Sequence, residues 1–282
     1  MSYPINYPTP QGANVQIFRG GDAGQTDIDN RHQATRDWVK PQGASFVWFT
    51  LIGAGGGGGG GMNESDVGGR SGGGGASGNV TNFMCPAFLL PDILQVAVGR
   101  GGNGGAKSIG TDIAGSNGTA GDATQIIYQQ KDNVGYQLLL ASGGAGGAGA
   151  AVGGDGNGGS AASPDVGGPM VAAGFYRNTQ GQAGKKGVLA STDGLTFLMG
   201  GSGVSYYGDG YDITGYYGYV AKSSAGYSQI SPLIMSIAGS RTEGVVYQTA
   251  SPFGCGGNGG GNSSDVIDGN RGGDGLVVIV TW

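Results

Sequence analysis

Ser45-Phe46-Val47-Trp48-Phe49-Thr50-Leu51-Ile52 runs directly into Gly53-Ala54 and then into seven consecutive glycines, Gly55 to Gly61. The first half is rich in aromatic and β-branched residues, so it reads as a strand. Its residues are apolar on both faces, so both faces should be buried. The second half has almost no side chains. A strand that passes straight into polyglycine belongs neither to an enzyme-like α/β fold nor to a flexible linker.

The same pairing recurs outward along the chain. Further strands are expected at Ile93 to Val98, Gln125 to Tyr128, Tyr136 to Ala141, Gly187 to Met199, Leu233 to Ala238, Val245 to Gln248 and Leu276 to Trp282. The last is strong enough to be paired, near the Phe46 to Ile52 strand. Glycine tracts fall between them, at 53–61, 68–78, 99–105, 143–159 and 254–275. Several repeat every third residue, as in Gly143-Gly144-Ala145-Gly146-Gly147-Ala148. A polyproline-II helix has three residues per turn, so Ala145, Ala148 and Ala151 line one edge and leave the other two bare. Bare edges let backbones approach and exchange N–H···O=C bonds, which satisfies groups that a lone helix leaves open. Packed polyglycine-II helices are therefore expected, with Gly55, Gly58, Gly61, Gly101, Gly104, Gly143, Gly146, Gly256 and Gly259 among the packing positions. The fold class is all-β: a β-sandwich-like domain with a polyglycine-II layer and an extended N-terminal arm.

Composition agrees. Glycine supplies 67 of 282 residues, more than three times its ordinary share of about 7%. Charged residues are scarce, at 12%. Helix formers are too few for a bundle. Collagen is excluded by the absence of a continuous Gly-X-Y period and by only 10 Pro. Disorder is disfavoured by 38% hydrophobic residues and a net charge of only −5. An isoelectric point near 4.7 argues against nucleic acid as a partner. No run of about 18 apolar residues exists, so no membrane insertion is expected. The start, Met1-Ser2-Tyr3-Pro4, has no signal-peptide character. Cys85 and Cys255 read as free thiols of a protein assembled in a reducing cytoplasm.

Residues 1–40 hold Arg19, Asp22, Asp27, Asp29, Arg31, Arg36, Asp37 and Lys40, and too few apolar residues for a core of their own. They read as an attachment arm, with a short strand at Asn14 to Phe18 and one or two helical turns over Arg31 to Val39. Residues 41–282 form the glycine-rich domain, with an elaboration over 160–252. That elaboration carries Tyr206, Tyr207, Tyr211, Tyr216, Tyr217, Tyr219 and Tyr227 among Gly, Ser and Asp. Such a mixture suits a recognition surface, since Tyr gives rigid amphipathic area and Gly or Ser gives adaptable contacts. It equally suits a protomer interface.

Motifs for chemistry are weak. Gly53 to Gly58 satisfies the dinucleotide fingerprint but lacks the helix it requires. Gly101 to Ser108 approaches the phosphate-binding loop, with Ala106 where the second Gly belongs. His32 is the sole histidine and lies in the polar arm. The Asp-Gly steps Asp155-Gly156, Asp209-Gly210 and Asp274-Gly275 read as turns, without the spacing of a calcium loop. No catalytic residue, cofactor or metal site is expected.

The steps Leu51-Ile52-Gly53-Ala54-Gly55-Gly56, Val96-Ala97-Val98-Gly99-Arg100-Gly101-Gly102, Gly121-Asp122-Ala123-Thr124, Leu139-Leu140-Ala141-Ser142-Gly143-Gly144 and Gly272-Gly273-Asp274-Gly275-Leu276-Val277 resemble the glycine-rich domain of bacteriophage virion proteins. The resemblance covers about residues 40–282. It implies a structural protein on the virion surface, assembled in the host cytoplasm. A fibre or spike component for host attachment is expected first, and a capsid decoration protein is the alternative. The partners then implied are other virion proteins through residues 1–40, further copies of the chain with a trimer favoured, and a host-surface glycan or outer-membrane protein.

Overall fold

The computed structural model describes residues 12–20, 34–65, 70–129, 135–165, 172, 174–184, 186–192, 195–199, 253–254, 256–257, 259–260 and 268–282. Their strands are β1 (Asn14–Arg19), β2 (Ala34–Val39), β3 (Phe46–Ile52), β4 (Val80–Pro86), β5 (Ile93–Val98), β6 (Thr124–Gln129), β7 (Gly135–Ala141), β8 (Phe175–Thr179), β9 (Val188–Thr192), β10 (Leu195–Met199) and β11 (Leu276–Thr281). One 3-10 turn, Ala87–Leu89, joins β4 towards β5. The architecture is all-β. A five-stranded antiparallel sheet, β1-β11-β3-β4-β8, faces a four-stranded one, β2-β5-β6-β7.

Alternation along the strands fills the space between the sheets. Val47, Phe49 and Leu51 of β3 point inward, joined by Phe83 of β4 and Val277 and Ile279 of β11. The second sheet answers with Trp38, Leu94, Val96, Ile126 and Leu139. The Trp38 ring meets Phe49 edge-on at 5.8 Å. Ile52, Val80, Val278 and Val280 form a second buried cluster on the outer face of the first sheet. The inward face of the Phe46 to Ile52 strand is thus covered, whereas on its outer face only the Ile52 end is buried, with Trp48 half-buried and Phe46 40% exposed. β11 pairs with β3, Ile279 opposite Phe49.

Some expectations need correction. Ala34–Val39 is a strand, β2, and not the helical turns expected over Arg31 to Val39. Its charged Arg36 and Asp37 mislead, because it is an edge strand that sends Trp38 inward. The described residues of the N-terminal stretch include β1 and β2, which are members of the two sheets, and Phe18 and Trp38 lie in the core. The segment Gly187 to Met199 is two strands, β9 and β10, paired with each other. The strands expected at Leu233 to Ala238 and Val245 to Gln248 lie outside the described residues.

Most strands of the sandwich do not end in loops at one pole. β3 continues into residues 53–61 (PG1), β5 into 99–108 (PG3) and β7 into 142–150 (PG5). Residues 71–78 (PG2) lead into β4, 115–122 (PG4) into β6 and 269–275 (PG9) into β11. Residues 155–160 (PG6), the described residues of 181–187 (PG7) and those of 254–260 (PG8) complete the set. At about 3.1 Å per residue in these segments and 3.3 Å in the strands, the domain is roughly 50 Å from the base of the sandwich to the far tip.

Candidate functional site

PG1 is the hub of a hexagonal bundle. Every N–H from Gly53 to Gly60 donates to a carbonyl of an antiparallel neighbour, at 2.8–3.1 Å. The recipients rotate with a period of three: PG2 and the Asn79 that follows it (Asn79, Ala76, Gly73), PG4 (Asp122, Thr119, Ser116) and PG9 (Gly273, Asn270). Every carbonyl from Ala54 to Gly61 accepts from a parallel neighbour: PG5 (Gly144, Gly147, Ala150), PG3 (Gly102, Gly105, Ser108) or PG8 (Gly257, Gly260). The surrounding segments also bond to one another in the order PG2, PG5, PG4, PG3, PG9, PG8 and back to PG2. Three residues per turn and side-chain-free edges are the polyglycine-II geometry. From Ala54 to Gly60 every residue of the hub has both backbone groups bonded, which buried backbone requires.

Such packing leaves no room for a Cβ. A methyl group at Gly53, Gly56 or Gly59 would overlap the carbonyls of Ser142, Ala145 or Ala148, and at Gly57 or Gly60 those of Asn103 or Ala106. Of the glycines expected to pack, Gly55 and Gly58 donate to Gly273 and Asn270, and Gly61 accepts from Ser108. A methyl group at Gly101, Gly104, Gly143, Gly146, Gly256 or Gly259 would overlap the carbonyl of Gly272, Gly269, Gly121, Gly118, Gly75 or Gly72 respectively.

The exceptions to glycine at the perimeter have a second use. Their side chains accept from N–H groups that face out of the lattice: Asp274 from Gly101, Thr119 from Asn103, Asp268 from Lys107, Asn117 from Gly149 and Asp155 from Ser71. The Asp-Gly steps at 155 and 274 thus serve as lattice caps. The dinucleotide-like Gly53 to Gly58 spends its N–H groups on carbonyls and has none to offer a phosphate.

Where strand gives way to polyglycine the repeat changes from two to three, and side chains fill the mismatch. Buried Thr124 donates to Ile52 O at 2.7 Å and accepts from Gly99 N–H at 3.1 Å. On another side Asp165 accepts from Ser142 N–H, Asn79 Nδ2 and Asn178 Nδ2 at 2.9–3.1 Å, and from the Ser142 hydroxyl. Asn79 in turn accepts from Gly181 N–H. Sequence reasoning missed this latch, whose members are scattered from Asn79 to Gly181.

The described residues at the far pole of the bundle are 62–65, 70, 109–114 and 151–154. They are tied together. Glu64, 6% exposed, pairs with Arg70 and accepts from Gly153 N–H at 2.6 Å. The Arg70 guanidinium, and then the Gly153 N–H, hold the Glu64 carboxyl below its ordinary range, against the opposing effect of burial. Asp112 accepts from Ser65 N–H and donates its own N–H to Asn63 O. On this braced frame Ile109 and Val152 project into solvent, Ile109 93% exposed. This tip is the candidate binding surface: rigid, with aliphatic residues among Asn, Ser and Asp.

Among the described residues no group of His, Cys, Asp and Glu is placed to hold a metal ion. Cys85 is a buried free thiol, and burial pushes its pKa up to about 11. Tyr206, Tyr207, Tyr211, Tyr216, Tyr217, Tyr219 and Tyr227 lie outside the described residues, as do His32 and Cys255.

Fold and site together define a β-sandwich that extrudes a polyglycine-II bundle. Residues 29–282 match the glycine-rich domain family, and the chain belongs to it. No curated protein matches the chain.

Proposed function

We propose that this protein is a bacteriophage virion surface component, a fibre or spike part that presents its bundle tip for host attachment. The observation that carries the reading is the hub. A bundle knit by backbone hydrogen bonds around a nearly side-chain-free hub holds the connections at 62–65, 109–114 and 151–154 far from the sandwich. Recognition residues belong on loops that a stiff scaffold positions. Attachment to other virion proteins falls to the part of residues 1–40 outside β1 and β2, and the partner at the tip is a host-surface glycan or outer-membrane protein. The Tyr residues from Tyr206 to Tyr227 are a second candidate contact in this reading.

The test uses intact particles carrying Ile109→Asp with Val152→Asp, or Tyr211, Tyr216 and Tyr217 each replaced by Ala. Assembly is expected to be normal and adsorption about tenfold lower for at least one set, the loss of one good contact. Wild-type adsorption for both sets rejects attachment. Particles that adsorb normally but fall apart on heating when the protein is absent would make it a capsid decoration instead.

A further inference from the structure

The four-stranded sheet has a second face, turned away from the core. Leu94 and Val96 of β5 and Ile126 of β6 point inward, so Gln95, Gln125, Ile127 and Gln129 point outward. Gln95 stands opposite Ile127 from β5, and Gln137 stands opposite it from β7. A bulge in the β6–β7 ladder at this point lets Leu138 and Leu139 both join the core. Four glutamines therefore form a cross around one isoleucine, Gln95 and Gln137 across the strands and Gln125 and Gln129 along β6.

The cross meets solvent. Gln129 and Gln137 are exposed, and Gln95, Gln125 and Ile127 are half-buried. Gly135 stands opposite Gln129, and a Cβ there would come within 3.2 Å of Ile127 Cγ2. The missing side chain leaves Ile127 open on that side. Gln95 Nε2 donates to Gln129 Oε1 at 2.5 Å, so these two amides hold each other in place. The Gln125 and Gln137 amides bond to no other described residue. On the outward face of the four strands Asp37, opposite Gln95, is the one charged residue. Surface positions ordinarily carry charge far more often than this.

We propose that this cross is a binding site for a neutral oligosaccharide. A glutamine amide offers two donors and an acceptor in one plane, which suits the neighbouring hydroxyls of a sugar. Ile127 at the centre takes an apolar C–H face of a ring. Other ligands lack their counterparts. A phosphate or an acidic sugar calls for Arg or Lys, and neither faces outward on these strands. A protein partner calls for Trp, Tyr or Arg as anchors. Trp38 points into the core, Arg36 stands opposite inward Val96, and Tyr136 stands opposite Tyr128, which packs on the core side. The cross is about 10 Å wide from β5 to β7 and about 14 Å long from Gln125 to Gln129, the footprint of a short oligosaccharide. The inference does not rest on the attachment reading, whose contact is the tip.

The test titrates the purified, isotope-labelled full chain with hexasaccharides of glucose, galactose, mannose and N-acetylglucosamine, followed by NMR of the side-chain amides. The signals of Gln95, Gln125, Gln129 and Gln137 should shift together and to saturation with at least one of the four. A sulfated hexasaccharide should leave them in place. Gln95→Ala with Gln137→Ala should weaken the binding about tenfold, the loss of about two net hydrogen bonds. Cys85, buried in the wild type, should stay unreactive towards a thiol reagent in this variant until denaturant is added. Ile109→Asp with Val152→Asp at the tip should bind the sugar as the wild type does, whatever becomes of adsorption. No shift with any of the four neutral sugars overturns the proposal, as does tighter binding of the sulfated one or full affinity in the glutamine variant. If the double variant fails to fold, Gln137→Ala alone decides, because Gln137 is exposed on an edge strand. A loss of about threefold is expected there, and unchanged affinity overturns the inference.

Discussion

A methyl group on Gly57 meets the carbonyl of Asn103, which is backbone and cannot swing aside. The N–H and carbonyl of Gly57 are bonded to Thr119 and Gly147, so the residue cannot retreat either. Gly154 near the tip has nothing within reach of a Cβ. The two glycines should therefore respond oppositely to alanine. Gly57→Ala is expected to cost about 3 kcal/mol or more, as overpacking against rigid neighbours does. Gly154→Ala should be neutral or stabilise by up to about 1 kcal/mol, because alanine has less freedom to lose on folding. Denaturant midpoints of the two variants measure the contrast, and equal losses would refute the lattice account of glycine. Local sequence made the hub legible because seven adjacent glycines suit almost no other packed structure. The caps were not legible. Asp274 and Gly101 meet across 173 residues, and nothing local to either announces the other.

At the scale of elements, the tip connections depend on a charged pair. The Glu64 carboxyl titrates below its ordinary 4.5 in the folded protein. Its charge therefore favours folding fully above about pH 4.5, and this contribution is lost as pH falls through the lowered value. Glu64→Gln should be less stable than the wild type at neutral pH. The gap should close as the solution is acidified below that range, as read from denaturant midpoints at several pH values. A gap independent of pH would mean that shape, and not charge, braces the tip. Elements also show why parts of the bundle escaped the sequence. PG4 has glycine only at Gly115, Gly118 and Gly121, and PG7 only at Gly181, Gly184 and Gly187. A hub needs three bare edges, whereas a perimeter segment needs bare edges only where it meets a neighbour. Ser116, Asn117, Thr119 and Ala120 of PG4 accordingly face solvent. Glycine density thus falls outward through the lattice, and a search for dense glycine finds the centre first. β2 escaped for a related reason, since an edge strand commits one large residue, Trp38, to the core and leaves its charges outside.

Over the whole molecule, two repeats share one set of chain segments. The sandwich holds itself by side chains between sheets, and the bundle by backbone between helices. Thr124 and Asp165 stitch the boundary where one rule gives way to the other. The strand-plus-glycine alternation made this two-part fold readable, because each half has its own periodicity. The poles were not readable, because tip and base are assembled from connections that lie far apart in sequence. One property of the lattice reaches beyond shape, to how the protein ages. Asn-Gly steps deamidate readily because the glycine nitrogen can swing onto the asparagine side-chain carbon, and this chain carries such steps at 103, 117, 157 and 258. In the bundle that swing is blocked at Asn117: the Gly118 N–H is held by Gly147 O at 2.9 Å, and the Asn117 amide oxygen by Gly149 N–H at 2.8 Å. Mass spectrometry after prolonged incubation at mildly alkaline pH should find Asn117 intact in the folded protein and converted in the unfolded chain, with equal conversion in both counting against the blockade. A lattice that excludes side chains for packing would then also act as a chemical preservative for a sequence that, unfolded, would decay at its own glycines.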